Sequence, residues 1–186
     1  MSTILMDGTG DKYKAKVDSN HRLYTYATTQ TENKFVSLNY GNAYAFSTNG
    51  FISLTTTDTE IPIFYLKNTS TTKNLYISRI RTCGNVAQKI ILYANPTGGT
   101  LLTNTAGTKT NINLTSSNTA EATVTKGGEG ITATGGTHIA QHINGIGHSN
   151  DPWEDSLILG TNDSIYISFE VASAGSVCVA VLGYFE

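Results

Sequence analysis

Short runs in which apolar and polar side chains alternate recur along this 186-residue chain. In the clearest example, residues 165–171 alternate with a period of two, and a turn at Ala172–Gly175 separates them from a second apolar run. A strand with one buried face has this period. No segment keeps a helical period over ten or more residues. The sequence therefore predicts an all-β fold, either a sandwich or a barrel.

The predicted strands are bounded by clusters of Gly, Asn, Ser and Thr. They are Leu23–Ala27, Ala43–Ser47, Phe51–Thr55, Ile61–Asn68, Leu75–Thr82, Gln88–Asn95, Thr110–Thr115, Ser156–Gly160 and the two closing runs. The last run has valines on one face and Cys178, Ala180 and Leu182 on the other. Because both faces are apolar, we predict a central strand whose outer face is covered by a loop or a neighbouring chain.

One predicted strand, Leu75–Thr82, breaks its own alternation, because Ile77 and Ile80 fall on opposite faces. A β-bulge near Ser78 and Arg79 would restore the register. Alternatively, Arg79 and Arg81 point outward from a strand that changes sheets. We favour the bulge.

The chain is predicted to divide into an extended N-terminal arm, residues 1–33, with one or two strands, and a sandwich domain, residues 34–186. Lys12, Lys14 and Lys16 in the arm alternate and would share one face of a strand. A solvated edge strand protected by lysines is favoured over a surface for an acidic partner. Residues 97–155 contain repeated Gly-Gly pairs and are predicted to be strands interrupted by long surface loops.

Composition and charge argue against several classes of function. Charged residues make up 14% of the chain and its net charge is −2, so the basic footprint of a nucleic-acid-binding protein is absent. No apolar run approaches the roughly 18 residues that a membrane span needs, and the first residues do not resemble a signal peptide. Cys83 and Cys178 form no metal-binding pair. We expect both to be buried thiols, and a disulfide between them is the alternative that the sequence does not decide.

The strongest candidate for a chemical site is the stretch from His138 to Asp155. His138, His142 and His148 lie near Asp151, Glu154 and Asp155, a set that could bind a metal ion. The segment is a poor helix, and Ile139 stands where a zinc protease needs Glu. A polar loop at a subunit contact is therefore favoured, with no metal and no cofactor. The tyrosines are predicted to pack in strands, whereas Trp153 is a candidate interface anchor.

The order of several motifs carries a resemblance over residues 7–186. They are DGTGD…KVDSNHRL, GNAYAFSTNGFISL, IFYLKNTSTTKNLYISRI, LYANPTGGTL, GGEGITATGG and LILGTNDSIYISFEV…VAVLGYFE. In these motifs the chain resembles virion structural proteins of tailed bacteriophages, which are jelly-roll-like β-sandwiches that decorate (cement) the head or serve as accessory capsid or tail components. The resemblance implies no catalytic residues, and makes the arm a candidate for attachment to the shell.

We therefore expect a non-enzymatic virion protein, on the head rather than the tail, that binds the major capsid protein and forms a homo-oligomer, a trimer being favoured. It is expected to bind neither nucleic acid nor membrane. The expected capsid or subunit contacts are Lys12, Lys14, Lys16, Arg22, His142, His148 and Trp153. The alternatives are a tail-fibre or receptor-binding module for host carbohydrate, whose aromatic rings would stack on sugars, and a depolymerase, for which no pair of acids can be placed.

Overall fold

The computed structural model describes the backbone of residues 5–6, 12–13, 16–17, 23–24 and 32–186, and the side chains from residue 34 onward. The chain divides into two units, residues 1–31 and 32–186. In the described part of the first unit, β1 (Leu5–Met6) pairs with β2 (Lys12–Tyr13), and β3 (Lys16–Val17) pairs with β4 (Leu23–Tyr24), both antiparallel. Lys12 and Lys16 thus lie in two strands rather than in one.

The second unit consists of a short helix followed by strands in two antiparallel sheets. Its elements are α1 (Glu32–Tyr40), β5 (Ala43–Ser47), β6 (Ile52–Leu54), β7 (Ile61–Asn68), β8 (Leu75–Gly84), β9 (Gln88–Ala94), a 3₁₀ turn (Thr100–Thr103), β10 (Thr108–Asn111), β11 (Ala122–Lys126), β12 (Thr137–Asn144), β13 (Gly147–Leu159), β14 (Ser164–Val171) and β15 (Gly175–Phe185).

The strand order is that of a jelly roll. One sheet has the order β10-β5-β15-β8-β13, with β6 also paired to β15, and the other has the order β11-β7-β14-β9-β12. Without β6, β10 and β11, eight strands remain. Numbered one to eight along the chain, β5, β15, β8 and β13 are the first, eighth, third and sixth of these and form one sheet. The second, seventh, fourth and fifth, which are β7, β14, β9 and β12, form the other. This arrangement of two Greek keys confirms the predicted jelly-roll-like sandwich.

The core lies between the two sheets and is built from the inward side chains of both. Phe46, Phe64 and Phe169 are fully buried in it, as are Val179 and Val181 of the last strand. Burying such a side chain stabilises the fold by about 1.5–3 kcal/mol each, before conformational entropy is counted. The period-two pattern of the sequence therefore reports the buried faces correctly.

Two predictions about individual strands are confirmed. The strand β15 lies between β5 and β8, inside its sheet, as its two apolar faces indicated. In β8, Arg79 pairs with Leu182 whereas Ile77 pairs with Gly183, so Ser78 is the extra residue of a bulge. The Ser78 hydroxyl donates to the Leu182 carbonyl oxygen at 3.0 Å. This bulge turns both Ile77 and Ile80 into the core.

The Gly-rich stretch after β9 covers the outer face of the five-stranded sheet. Tyr65 and Tyr166 are buried there under Leu101 and Ile131. Burial raises the pKa of Tyr166 to about 12, so its hydroxyl stays protonated and donates to the Gly135 carbonyl oxygen at 3.4 Å. The tyrosines described in this sheet therefore pack, as predicted.

Glycine is required where this stretch runs beside β7, directly after β11. The amide of Gly127 donates to the Ile63 carbonyl oxygen at 2.8 Å. A Cβ atom at Gly127 would lie 2.0 Å from the Pro62 carbonyl oxygen. Any other residue would push the covering segment away from the sheet.

One helix was not predicted, and the bounds of one predicted strand are wrong. No pattern in the sequence indicated α1, which has nine residues and packs Val36 against Ala43 and Tyr184 of the six-stranded sheet. So short a helix is stabilised by tertiary packing rather than by its own propensity. The strand expected at Thr110–Thr115 is instead β10, which ends at Asn111. The side chain of Asn111 there accepts from the Asn113 amide at 2.9 Å and turns the chain.

Candidate functional site

The segment from His138 to Asp155 forms two edge strands, so the prediction of a polar loop is wrong. The strand β12 pairs with β9 at the edge of the five-stranded sheet, and β13 pairs with β8 at the edge of the six-stranded sheet. Gly145 and Ile146 connect them, so the segment closes one side of the sandwich. The chain departs from the ladder only at residues 153–156, where Glu154 and Asp155 have positive φ. The many polar residues in these strands concealed them in the sequence.

His142 and Trp153 lie together between the two sheets. They line a small cavity of about 20 Å³, with room for about one water molecule. His142 Nε2 lies 3.5 Å from Asp151 Oδ2, an interaction that joins β12 to β13. The indole of Trp153 packs against the core, and its Nε1 is buried without a protein hydrogen-bond partner. These two residues hold the edges of the sandwich together.

His148 points the other way, into a groove on the outer face of the six-stranded sheet. We call this the outer groove; it has a volume of about 510 Å³. Its lining residues are Arg81, Thr82, Cys83, His148, Ser149, Asn150, Cys178 and Ala180. The Arg81 Nε donates to Asn150 Oδ1 at 3.2 Å, which fixes the guanidinium along the rim. The groove therefore has a small, apolar floor and a polar wall.

The floor of the outer groove contains a disulfide between Cys83 and Cys178. The two residues are directly opposite in the β8–β15 ladder, with Cα atoms 5.1 Å apart, within the range that a disulfide can span. Both are half-buried. The expectation of buried free thiols is therefore wrong. Their 95-residue separation hid the pairing, because only the strand register brings them together.

The outer face around the groove is unevenly covered. At one end α1 packs over Tyr184, and Tyr184 stacks on Tyr76 with ring centroids 5.2 Å apart. At the other end, Cys178, Ala180 and Leu182 remain half-exposed. Burial raises the pKa of the Asp155 carboxyl, and the hydrogen bond from the Tyr184 hydroxyl partly offsets that rise. Within residues 34–186, the covering predicted for the last strand is thus present at one end of the face only.

The predicted contacts of the arm lie mainly outside the described residues. Lys14 and Arg22 fall there entirely, as do the side chains of Lys12 and Lys16. Of the predicted contact residues, His142 and Trp153 lie together between the two sheets. His148 lies on the outer face of the six-stranded sheet.

The sequence patterns did not indicate two features of the surface. Ile143 and Ile146 are 81% and 79% exposed at the end of β12 and in the turn after it. The carboxylate of Glu129 accepts hydrogen bonds from the amides of Thr55 and Thr56, which lower its pKa to about 2. The Gly-Gly-Glu-Gly sequence marks Glu129 as a residue in a turn. It does not indicate the hydrogen-bond donors of Glu129, which lie more than seventy residues away in the chain.

The described residues hold no group of three or more His, Cys, Asp or Glu side chains placed to bind a metal ion. Among them, no helix has the length and apolarity of a membrane span. Comparison with known proteins found no family model, no curated protein and no solved structure that matches this chain.

Proposed function

We propose that this chain is a non-enzymatic structural protein of a tailed-phage virion, a head decoration (cement) protein that binds the capsid surface. The motif order supports the proposal, since it resembles that group of proteins. The jelly roll also supports it, because viral capsid proteins use this fold, although a fold alone does not define a function.

The observation that carries the proposal is the open end of the outer face. Ala180 lies in the floor of the outer groove, and its strand occupies the centre of the sheet. A strand whose two faces are both apolar usually has both of them covered. Here Cys178, Ala180 and Leu182 are half-exposed. A small, flat, apolar floor flanked by Arg81 and Asn150 suits protein docking, since interface cores are depleted in charge and their rims are polar.

The proposed mechanism is stabilisation by added contact. A decoration protein that binds the assembled shell and not its separate subunits favours the assembled state by mass action. An ordinary specific interface buries about 800 Å² on each partner. The partner would be the major capsid protein, and the arm lysines would add contacts to its surface. Homo-oligomers of the chain on the shell are part of the same proposal.

Binding to purified phage heads that lack decoration tests the proposal. We expect the purified chain to co-sediment with such heads and to raise the temperature at which they rupture. Ala180→Glu places a charge in the floor of the outer groove and is expected to weaken binding by at least about tenfold. Ala106→Glu is the matched control, because Ala106 is exposed at the opposite edge, beside β11.

Both variants must first show the wild-type unfolding temperature, so that lost binding reports the surface rather than the fold. No association with heads, or equal binding by Ala180→Glu and wild type, would contradict the proposal. Labelled particles viewed by electron microscopy then separate head from tail. Binding to a glycan array together with no binding to heads would favour the receptor-binding alternative.

A further inference from the structure

Among the described residues, the edge strands are β10, β13 and the three-residue β6 in one sheet, and β11 and β12 in the other. An edge strand presents unpaired backbone amides and carbonyls that can pair with another chain. Soluble proteins block such edges with short strands, charges, proline, bulges or a covering segment. The strand β6 is too short to guide another strand, and the remaining edges differ in how well they are blocked.

The edges of β10 and β11 protect each other. The strand β10 has only four residues. Its Lys109 ammonium donates to the carbonyl oxygens of Ala120 and Ala122, at 3.2 and 2.8 Å. The segment before β10 covers β11, since the Gly107 amide donates to the Val124 carbonyl oxygen at 3.0 Å. This side of the sandwich is therefore closed to another strand.

The edge of β13 is blocked by its own sequence. Pro152 has no amide hydrogen to donate, and three carboxylates flank it at Asp151, Glu154 and Asp155. The chain also leaves the ladder between Pro152 and Leu157. A partner strand could not follow β13 over more than a few residues.

In the part of the chain that the structure describes, the edge of β12 carries the weakest protection. Its sequence, Thr137–Asn144, contains no proline and no Asp, Glu, Lys or Arg. The register shift falls between His138 and Ala140, so the ladder is regular from Ala140 to Asn144. Ile143 points into solvent from this regular part and Ile146 follows it, both about four-fifths exposed.

We propose that β12 pairs antiparallel with β12 of a second copy of this chain, joining two five-stranded sheets into one. Strand addition at an open edge uses main-chain hydrogen bonds for affinity and side-chain pockets for specificity. The second copy is the occupant that the strand fits: an antiparallel pair of identical strands is two-fold symmetric, and no charged side chain of β12 opposes its own copy. Each copy then covers the other's Ile143.

This contact has consequences for the oligomer. A strand that pairs with its own copy lies on a two-fold axis, so the edge supports a dimer rather than the trimer expected from the sequence. The inference does not depend on the proposed function, because the outer groove lies on the other sheet.

Sedimentation of the full chain tests the inference. We expect a monomer–dimer equilibrium between about 1 µM and about 1 mM, the range of small, transient interfaces. Ile143→Lys adds an edge-blocking charge at an exposed site and is expected to weaken the dimer at least about tenfold. Leu114→Lys makes the same kind of change at a residue 88% exposed in the loop after β10, and should leave the dimer intact.

Hydrogen exchange supplies a second measurement. The amides of Ala140–Asn144 should exchange more slowly as the wild-type concentration rises, whereas those of β13 should not change. The inference is overturned by a monomer at every concentration, by a three-copy assembly, by a dimer that Ile143→Lys leaves unchanged, or by equal losses in both lysine variants.

Discussion

The disulfide between Cys83 and Cys178 closes a long loop, and its removal should have a large effect. The sequence separation is 95 residues. In the chain-entropy description, a cross-link closing a loop of this length lowers the free energy of folding by about 4.7 kcal/mol at 25 °C, because it restricts the unfolded chain. Both cysteines are half-buried on the sheet's outer face, so lost packing adds little. We expect reduction to lower the free energy of unfolding by about 3–5 kcal/mol.

Urea titrations of the oxidised and reduced protein, followed by tryptophan fluorescence, measure this difference. The slope with urea should rise on reduction, since the unfolded chain then exposes more surface. The double variant Cys83→Ala/Cys178→Ala is the control. Its free energy of unfolding should equal that of the reduced wild type and should not change when reductant is added. A difference below about 1 kcal/mol between oxidised and reduced protein, or two free thiols in the purified protein, would refute the reasoning.

Three further predictions concern single side chains. Leu101→Ala should lower the free energy of unfolding by about 2–5 kcal/mol in the same titration, because the fully buried Leu101 packs on the tyrosines under the covering segment. Glu129→Gln should lower the melting temperature at pH 7. Because the folded pKa of Glu129 lies below its ordinary value of 4.5, the carboxylate's contribution is present above pH 4.5 and lost as the pH falls to about 2. The difference in melting temperature should therefore vanish near pH 2; an equal difference at both pH values would contradict it. Asp155→Asn should raise the melting temperature at neutral pH, since the raised pKa of Asp155 means that its charge opposes folding there. That gain should shrink in acid, where wild-type Asp155 is protonated, and Asn tolerates the positive φ at this position.

Prediction from the sequence worked best where the residues of a single strand were enough to identify that strand. The bounds of β5 and β7 agree with the predicted runs, because each is an uninterrupted apolar segment between turn residues. The Ser78 bulge was also predictable, since a fixed alternation makes one extra residue visible. In contrast, β12 and most of β13 consist mainly of polar residues with few apolar ones, a composition that a loop shares.

The candidate site was predicted less well than the fold. His142, His148 and Trp153 are close in sequence, but His142 lies in β12, whereas His148 and Trp153 lie on opposite faces of β13. His142 and Trp153 face the space between the sheets, whereas His148 faces the outer groove. A sequence pattern assigns a side chain to a face of its strand, but not to the sheet in which that strand lies.

The sequence alone determined that this chain forms β-strands, which faces of them are apolar and that β15 lies inside a sheet, because side-chain alternation is a local consequence of the pleated backbone. Tertiary structure decided which strands are neighbours, and with that the Cys83–Cys178 bond, the cover over Tyr166 and the open edge of β12. Those features depend on pairing between residues far apart in the chain, and the alternating pattern of a strand is the same whichever neighbour it has.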